Sequence, residues 1–527
     1  VKRGPLIAFA LGSVPWSAAA APPALESLFP PGGKQGAEID LTLSGKFEPW
    51  PCTLWFSEKG FTFTPDPKKP GSGKLKIEGS VPVGPVLVRA HNAEGATAPL
   101  IFIVGNQTEL IEEEKDNSTL SAAVPLDRAK LPFVVNGTLS TGGELDAYRL
   151  ALEKGETLHL RVEAYGLRSM VDPAVHVHDP AGHRLTLAHD GPANLDPSLS
   201  FTAESKGDYV LSLAGFSHPP AASVAYTGAK NAHYRLSLAL KREQIPARLL
   251  PADPGPDAAA PDLVPGKPLA ATLKEKGKPN RHPVKAKKGD KFLLRVEGRA
   301  LGFPIDPVLR VLKPDGSEIR KEDDSNKTSD PEYLWSVAED GAYTLEVSDR
   351  FGRAGADMRY RLSAGPASPD FIVTMDKAQY AMERGKPLEL KATVTRLLGH
   401  TGELVLSLSG LPAGIALKEP VKIAEKATEA VLKLEAKADA PGFSGPIRVI
   451  AKETKAEKPL EKTAVFSFKD DNQRGPYAID EAKDLWLTLP PPKEEKKPEP
   501  KPEEKKPEEK KPEAKKPEEK KPEEKKK

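Results

Sequence analysis

Four histidines crowd one short stretch of the chain: His176, His178, His183 and His189. Neutral imidazole is the commonest zinc ligand, and His176 and His178, two residues apart, fall on one face of a strand, as a zinc site requires. Spacing does not fix a second and third ligand, so a half-buried histidine face is the alternative. Positions 134 residues further on hold Arg310, Leu312, Ser317 and Asp323, so the fold does not demand ligands there. Nucleophilic chemistry fares no better. Gly215-Phe216-Ser217-His218-Pro219 sets a serine beside a histidine, but it lacks the final glycine of a nucleophile elbow and ends a strand that no helix follows. The chain has no His-Glu-x-x-His, and Pro265-Gly266-Lys267-Pro268 lacks both the upstream glycine and the Ser or Thr of a phosphate loop. No catalytic residue and no organic cofactor site is expected, and the chain is read as not an enzyme. Trp50, Trp55, Phe56, Phe61 and Phe63 have the makings of a binding platform, although the alternation of Phe61 and Phe63 suits core packing.

Composition sets the elements that must position these residues. In 527 residues there are 54 Pro and 42 Gly against 17 Phe, 10 Tyr and 5 Trp, a balance of many turns and short strands over several domains. One cysteine, Cys52, rules out an internal disulfide and a cysteine-based metal site. Residues 493–527 hold 15 Lys and 12 Glu, which leaves 62 basic and 63 acidic side chains elsewhere, without the basic excess that nucleic-acid binding needs. Lys2 and Arg3, the apolar run from Pro5 to Trp16 and the small residues that follow have the order of a secretory signal peptide, residues 1–20, cleaved after Ala20. That run is too short to span a bilayer, so no transmembrane segment is expected in the mature chain. From Lys496 on, Lys-Lys-Pro-Glu-Glu recurs with a proline at every fifth position, which prevents a helix. Residues 493–527 are therefore read as a disordered, extended tail reaching on the order of 100 Å at about 3.1 Å per residue.

Self-similarity at an offset of 134 residues is the most informative pattern. Leu160-Arg161-Val162-Glu163 matches Leu294-Arg295-Val296-Glu297, and Asp172-Pro173 matches Asp306-Pro307. Asp196-Pro197 matches Asp330-Pro331, and Gly207 and Tyr209 match Gly341 and Tyr343. After a length change Tyr234-Arg235-Leu236-Ser237 matches Tyr360-Arg361-Leu362-Ser363. Apolar residues alternate at Leu158, Leu160 and Val162 and at Phe292, Leu294 and Val296, the period of a strand with one buried face. Each unit reads as an antiparallel β-sandwich of about a hundred residues, enough for its own core.

Asp146-Ala147-Tyr148-Arg149-Leu150, Pro180-Ala181-Gly182 and Gly207-Asp208-Tyr209-Val210-Leu211 resemble the bacterial pre-peptidase C-terminal domain. The resemblance implies a jelly-roll-like sandwich of secreted proteins, often attached to extracellular proteases. It also implies oxygen ligands for calcium from the acidic segment that leads into the domain. Carried onto this chain, those are Glu112, Glu114, Asp116 and Asn117, with Glu144 and Asp146 approaching from the first strand pair. Clustered Glu, Asp and Asn oxygens on a loop suit Ca²⁺, and a hydrated acidic linker is the other reading. In the second unit Asn280-Arg281-His282 stands in place of the Asp-x-Tyr motif, so at most one such ion is expected.

Residues 23–105 resemble an IPT/TIG-type immunoglobulin-like domain through Pro82-Val83-Gly84-Pro85-Val86-Leu87-Val88-Arg89. Residues 370–469 alternate at Leu388, Leu390, Ala392 and Val394, and their Leu411-Pro412-Ala413-Gly414-Ile415 resembles a turn of bacterial immunoglobulin-like repeats. The expected order is thus sandwich 23–105, repeat 106–242, Pro/Ala-rich linker 243–266, repeat 267–366, sandwich 370–469, short segment 470–492 and tail. It resembles the module order of large exported proteins of planctomycete-type bacteria. Trp486 lies either on an extra strand that docks back or on a short exposed recognition element. The chain as a whole is expected to be all-β and non-catalytic. It is read as a secreted, periplasmic or cell-surface binding, adhesion or spacer protein, calcium-stabilised if the acidic segment holds its ion. Its expected partner is an extracellular protein or envelope polymer. The alternative is an accessory, substrate-presenting component that partners a secreted peptidase.

Overall fold

The structure is a computed structural model that describes residues 21–113, 116–222, 225–246, 255–258, 261–325, 328–455 and 457–492. The expected leader and Lys/Pro/Glu tail lie outside the described residues, as does Glu114. Among the described residues there is no α-helix, only strands and single 3₁₀ turns. None is a helix long and apolar enough to cross a membrane. The chain is a multi-domain all-β protein.

Paired sheets enclose four main cores. In the first pair, Ala24–Phe29, Glu38–Lys46, Ser72–Ile77 and Phe61–Pro65 face Gly32–Lys34, Leu100–Gly105, Gly84–Asn92 and Thr53–Phe56. Phe56 and Phe61 stack there at 4.1 Å, with Phe102 edge-on, so these aromatics fill a core. The two repeats have one topology. One sheet of the first runs Phe133–Thr138, His233–Ala239, Thr157–Glu163, Ser198–Thr202, and its counterpart runs Leu269–Thr272, Arg359–Pro366, Lys291–Glu297, Glu332–Ser336. The opposing sheets run Asp146–Leu152, Gly207–Ser217, Val171–His178, Arg184–His189 and Asn280–Ala286, Gly341–Asp349, Pro307–Leu312, Glu318–Glu322. Only the first repeat adds the named edge strands Thr108–Ile111 and Val124–Pro125, both parallel to their neighbours.

The repeated residues hold the repeated parts. Alternation buries Leu158, Leu160 and Val162 on one face, as it does Leu294 and Val296. Asp196 accepts the backbone N–H groups of Ala164, Tyr165 and Gly166 at 2.7–2.8 Å, and Asp330 accepts those of Gly298, Arg299 and Ala300 at 2.8–3.0 Å. Each aspartate thereby satisfies three loop donors that burial would otherwise leave unpaired. Tyr209 donates its hydroxyl to the Ser205 carbonyl, and Tyr343 donates to that of Glu339. Both bonds fasten the start of the long strand to its preceding turn.

In the last sandwich, Leu485–Leu489 enters between Gln379–Ala381 and Phe443–Glu453, so Trp486 lies on an inserted strand and is buried. This stretch also reaches other modules. Trp486 packs edge-on against Trp55 of the first sandwich, and buried Arg89 donates to the carbonyls of Ala378 and Asp484. Just upstream, Ala478 donates its N–H to Gly166, Tyr165 donates to the Gly475 carbonyl, and Arg168 lies 4.8 Å above the Phe468 ring. Residues 466–489 therefore fasten the first and last sandwiches to the first repeat, an arrangement closer to a clasp than to beads on a string. At the junction of the first sandwich with the first repeat, a Cβ on Gly32 would collide with the Arg235 guanidinium, which accounts for glycine in the Pro-Pro-Gly-Gly turn.

Candidate functional site

Period-two alternation places Asp146 on the core face of its strand with Tyr148, Leu150 and Leu152, all at most 1% exposed. A carboxylate at such a position requires compensation. Tyr234, from the strand across the core, donates its hydroxyl to Asp146 Oδ2 at 2.7 Å and is itself bonded to the Tyr148 hydroxyl at 2.5 Å. Glu112 arrives from the parallel edge strand, where its N–H bonds to the Asn136 carbonyl. Its carboxylate accepts from Asn117 Nδ2 at 3.0 Å, from the Thr138 N–H at 3.2 Å and from the Tyr234 hydroxyl at 3.3 Å. A Cβ on Gly137 would overlap Tyr234 Oη and Glu112 Oε2, so glycine leaves the room in which the two acids meet.

Of the residues expected to carry oxygen ligands, the structure thus brings Glu112, Asn117 and Asp146 together. Glu144 caps its own turn, accepting the Thr141 N–H at 2.6 Å, while its charge still reaches Asp146. Asp116 is exposed and accepts the Ser118 N–H at 3.4 Å. Burial pushes the Asp146 carboxyl up to about 9. The charges of Glu112 and Glu144 and a hydrogen bond between the Glu112 and Asp146 carboxyls add to that rise, against the Tyr234 hydrogen bond. Among the described residues Asp146 Oδ1 and Asn117 Oδ1 are buried and accept no hydrogen bond. Two carboxyls and two orphan oxygens in one small space need either a shared proton or a cation.

Sequence reasoning missed the tyrosines. The repeated Tyr-Arg-Leu at 148–150 and 234–236 was the signal, but Tyr234 meets Tyr148 and Asp146 only across the sandwich, 86 and 88 residues away in the chain. The histidines do not converge. His176 and His178 stack at 6.3 Å on one strand face, His183 bonds to Asp179, and His189 turns towards Asp172 and Asp190. Ser217 donates to the Pro219 carbonyl, and His218 packs edge-on against Tyr165.

No protein-family model matches the chain, and no curated protein matches it. Solved structures resemble it only distantly. One is Bacteroides ovatus SGBP-B of the mixed-linkage glucan utilization locus, in complex with mixed-linkage heptasaccharide: 8% identity, TM-score 0.16, over 64% of this chain and 74% of that one. A DUF4785 family protein from Legionella pneumophila is 12% identical, with TM-score 0.12, over 63% and 90%. Surface layer protein SbsC, domains 1–6, is 10% identical, with TM-score 0.14, over 88% and 58%. None of these assigns a family.

Proposed function

We propose that this chain is a non-catalytic exported binding protein of the bacterial envelope, built on two repeats of pre-peptidase C-terminal type, the first stiffened by Ca²⁺. The observation that carries the reading is the buried Glu112–Asp146 pair beside the orphan oxygens of Asp146 and Asn117. Ca²⁺ accepts such oxygens in flexible geometry, and its charge offsets two adjacent carboxylates. Glu112, Asn117 and Asp146 would hold the ion, with Glu144 adding charge nearby. Ca²⁺ would supply structural neutralisation there and take no part in a reaction.

Several features support a binding role. The serine and histidine nearest to a nucleophile pattern are engaged with a carbonyl and an aromatic ring. Residues 466–489 clamp the first repeat to both flanking sandwiches, which suits rigid presentation of loops and sheet faces. The test is retention of the full chain on isolated envelope polymer, with Ca²⁺ and with chelator. Retention that chelator weakens is expected. Passage through the polymer, together with copurification with a secreted peptidase, would overturn the envelope reading in favour of the accessory one.

A further inference from the structure

A second cluster lies at the far edge of the sheet that carries Asp146, at the joint with the second repeat. His189 Nε2 stands 3.5 Å from Asp172 Oδ1, and its Nδ1 stands 3.7 Å from Asp190 Oδ1. One ligand atom from each residue can be chosen so that all three lie within 4.8 Å of one another. The 3.5 Å gap is long for a hydrogen bond. It matches the separation of roughly 3.4 Å between nitrogen and oxygen ligands that share a tetrahedral ion with bonds of about 2.0–2.2 Å. Asp172 Oδ1 is buried and accepts no hydrogen bond among the described residues.

The second repeat shows what this position attracts. Its equivalents of Asp172, His189 and Asp190 are Asp306, Asp323 and Asp324, and there an arginine supplies the cation. Arg350 Nη1 lies 3.4 Å from Asp323 and 3.5 Å from Asp324, and the fields of Arg299 and Arg350 both oppose the burial that raises the Asp306 carboxyl. In the first repeat the positions of those two arginines are taken by Tyr165 and Phe216. Phe216 lies edge-on to the His189 ring at 5.3 Å. Among the described residues no lysine or arginine forms an ion pair with Asp172 or Asp190. The same fold position thus keeps its acids in both repeats but loses its built-in cations in the first, where an imidazole joins the set.

We infer that Asp172 and His189 are ligands of a divalent transition-metal site of the Zn²⁺ class, with the Asp190 carboxylate 3.7 Å from the other ring nitrogen as a further negative charge beside it. An imidazole with carboxylates selects such an ion over Ca²⁺. The ion would anchor the loop that begins at Asp190. That loop receives Arg299 of the second repeat on the Pro192 carbonyl and sends Asn194 to the Pro476 carbonyl. The site is distinct from the Glu112–Asp146 pair and does not depend on it.

The test is calorimetric titration of the chelator-treated full chain with Zn²⁺ alone. One equivalent is expected, with affinity at least tenfold weaker in His189→Gln and in Asp172→Asn. It should be unchanged in Asp146→Asn and in the paired His176→Gln, His178→Gln variant. His189 is exposed, so its variant should melt as the wild type does in chelator, which guards against loss by misfolding. Absence of Zn²⁺ uptake, uptake that His189→Gln leaves intact, or uptake lost in the His176/His178 variant would each overturn the proposal.

Discussion

Where the first repeat places Asp146 on the core face of a strand, the second places Asn280, and the surroundings change with it. Tyr148 becomes His282, and Glu112 becomes Ala258, whose N–H bonds to Ala270 as that of Glu112 bonds to Asn136. The second network closes on itself. Pro261 accepts from His282 Nδ1 at 2.9 Å, which leaves Nε2 to accept the Tyr360 hydroxyl at 2.7 Å, while Asn280 donates to that hydroxyl and to the Thr272 carbonyl. Every member is neutral and partnered. In the first repeat the same frame holds two acids and two orphan oxygens. Identical folding therefore does not specify the chemistry at this point; the presence of a second carboxylate does.

The position of Gly137 gives the largest handle on this contrast, because its equivalent in the second repeat is Ala271. Gly137→Ala would drive a methyl group into Tyr234 and Glu112, so a loss of about 1–3 kcal/mol in unfolding free energy is expected, together with loss of any Ca²⁺ response. Ala271→Gly should cost only about 0.5–1 kcal/mol, the conformational freedom of glycine. Equal effects in the two denaturant titrations would break the comparison.

Asn280→Asp sharpens it from the other side. The new carboxylate would be half-buried and would lose the two bonds that the Asn280 amide donates, with Ala258 standing where Glu112 would be, and a loss of about 1–3 kcal/mol is expected. Thermal melts should show no compensating rise with Ca²⁺. Such a rise would mean that one carboxylate suffices.

A pH-dependent effect follows from the Asp146 carboxyl, pushed up to about 9 from an ordinary value near 4. Between those values the folded chain keeps a proton that the unfolded chain releases, so stability is greatest at the acid end and falls as pH rises. In chelator the melting temperature of the wild type should drop by several °C more than that of Asp146→Asn between pH 5 and pH 8. Parallel melting curves of the two proteins against pH would remove the charge argument.

Much of the frame was legible because it is local or duplicated. The offset of 134 residues predicted two units of one topology, and their Asp-Pro and Gly-x-Tyr residues hold equivalent loops and turns. The alternation Leu390, Ala392, Val394 likewise marks a buried face. What escaped depends on partners far apart in the chain. Arg89 meets Asp484 across 395 residues, and Asp172 meets His189 only because strand pairing sets Ala174 opposite the histidine. Period and turn chemistry report which way a side chain points; they do not report which strand will face it.

We propose that Glu112 and Asp146 make one Ca²⁺ site that the second repeat lacks. Its most direct test is titration of the chelator-treated full chain with Ca²⁺ by calorimetry, beside Asp146→Asn. One ion bound by the wild type and none by the variant is the expected result. No binding by the wild type, or an unchanged isotherm in the variant, would contradict it.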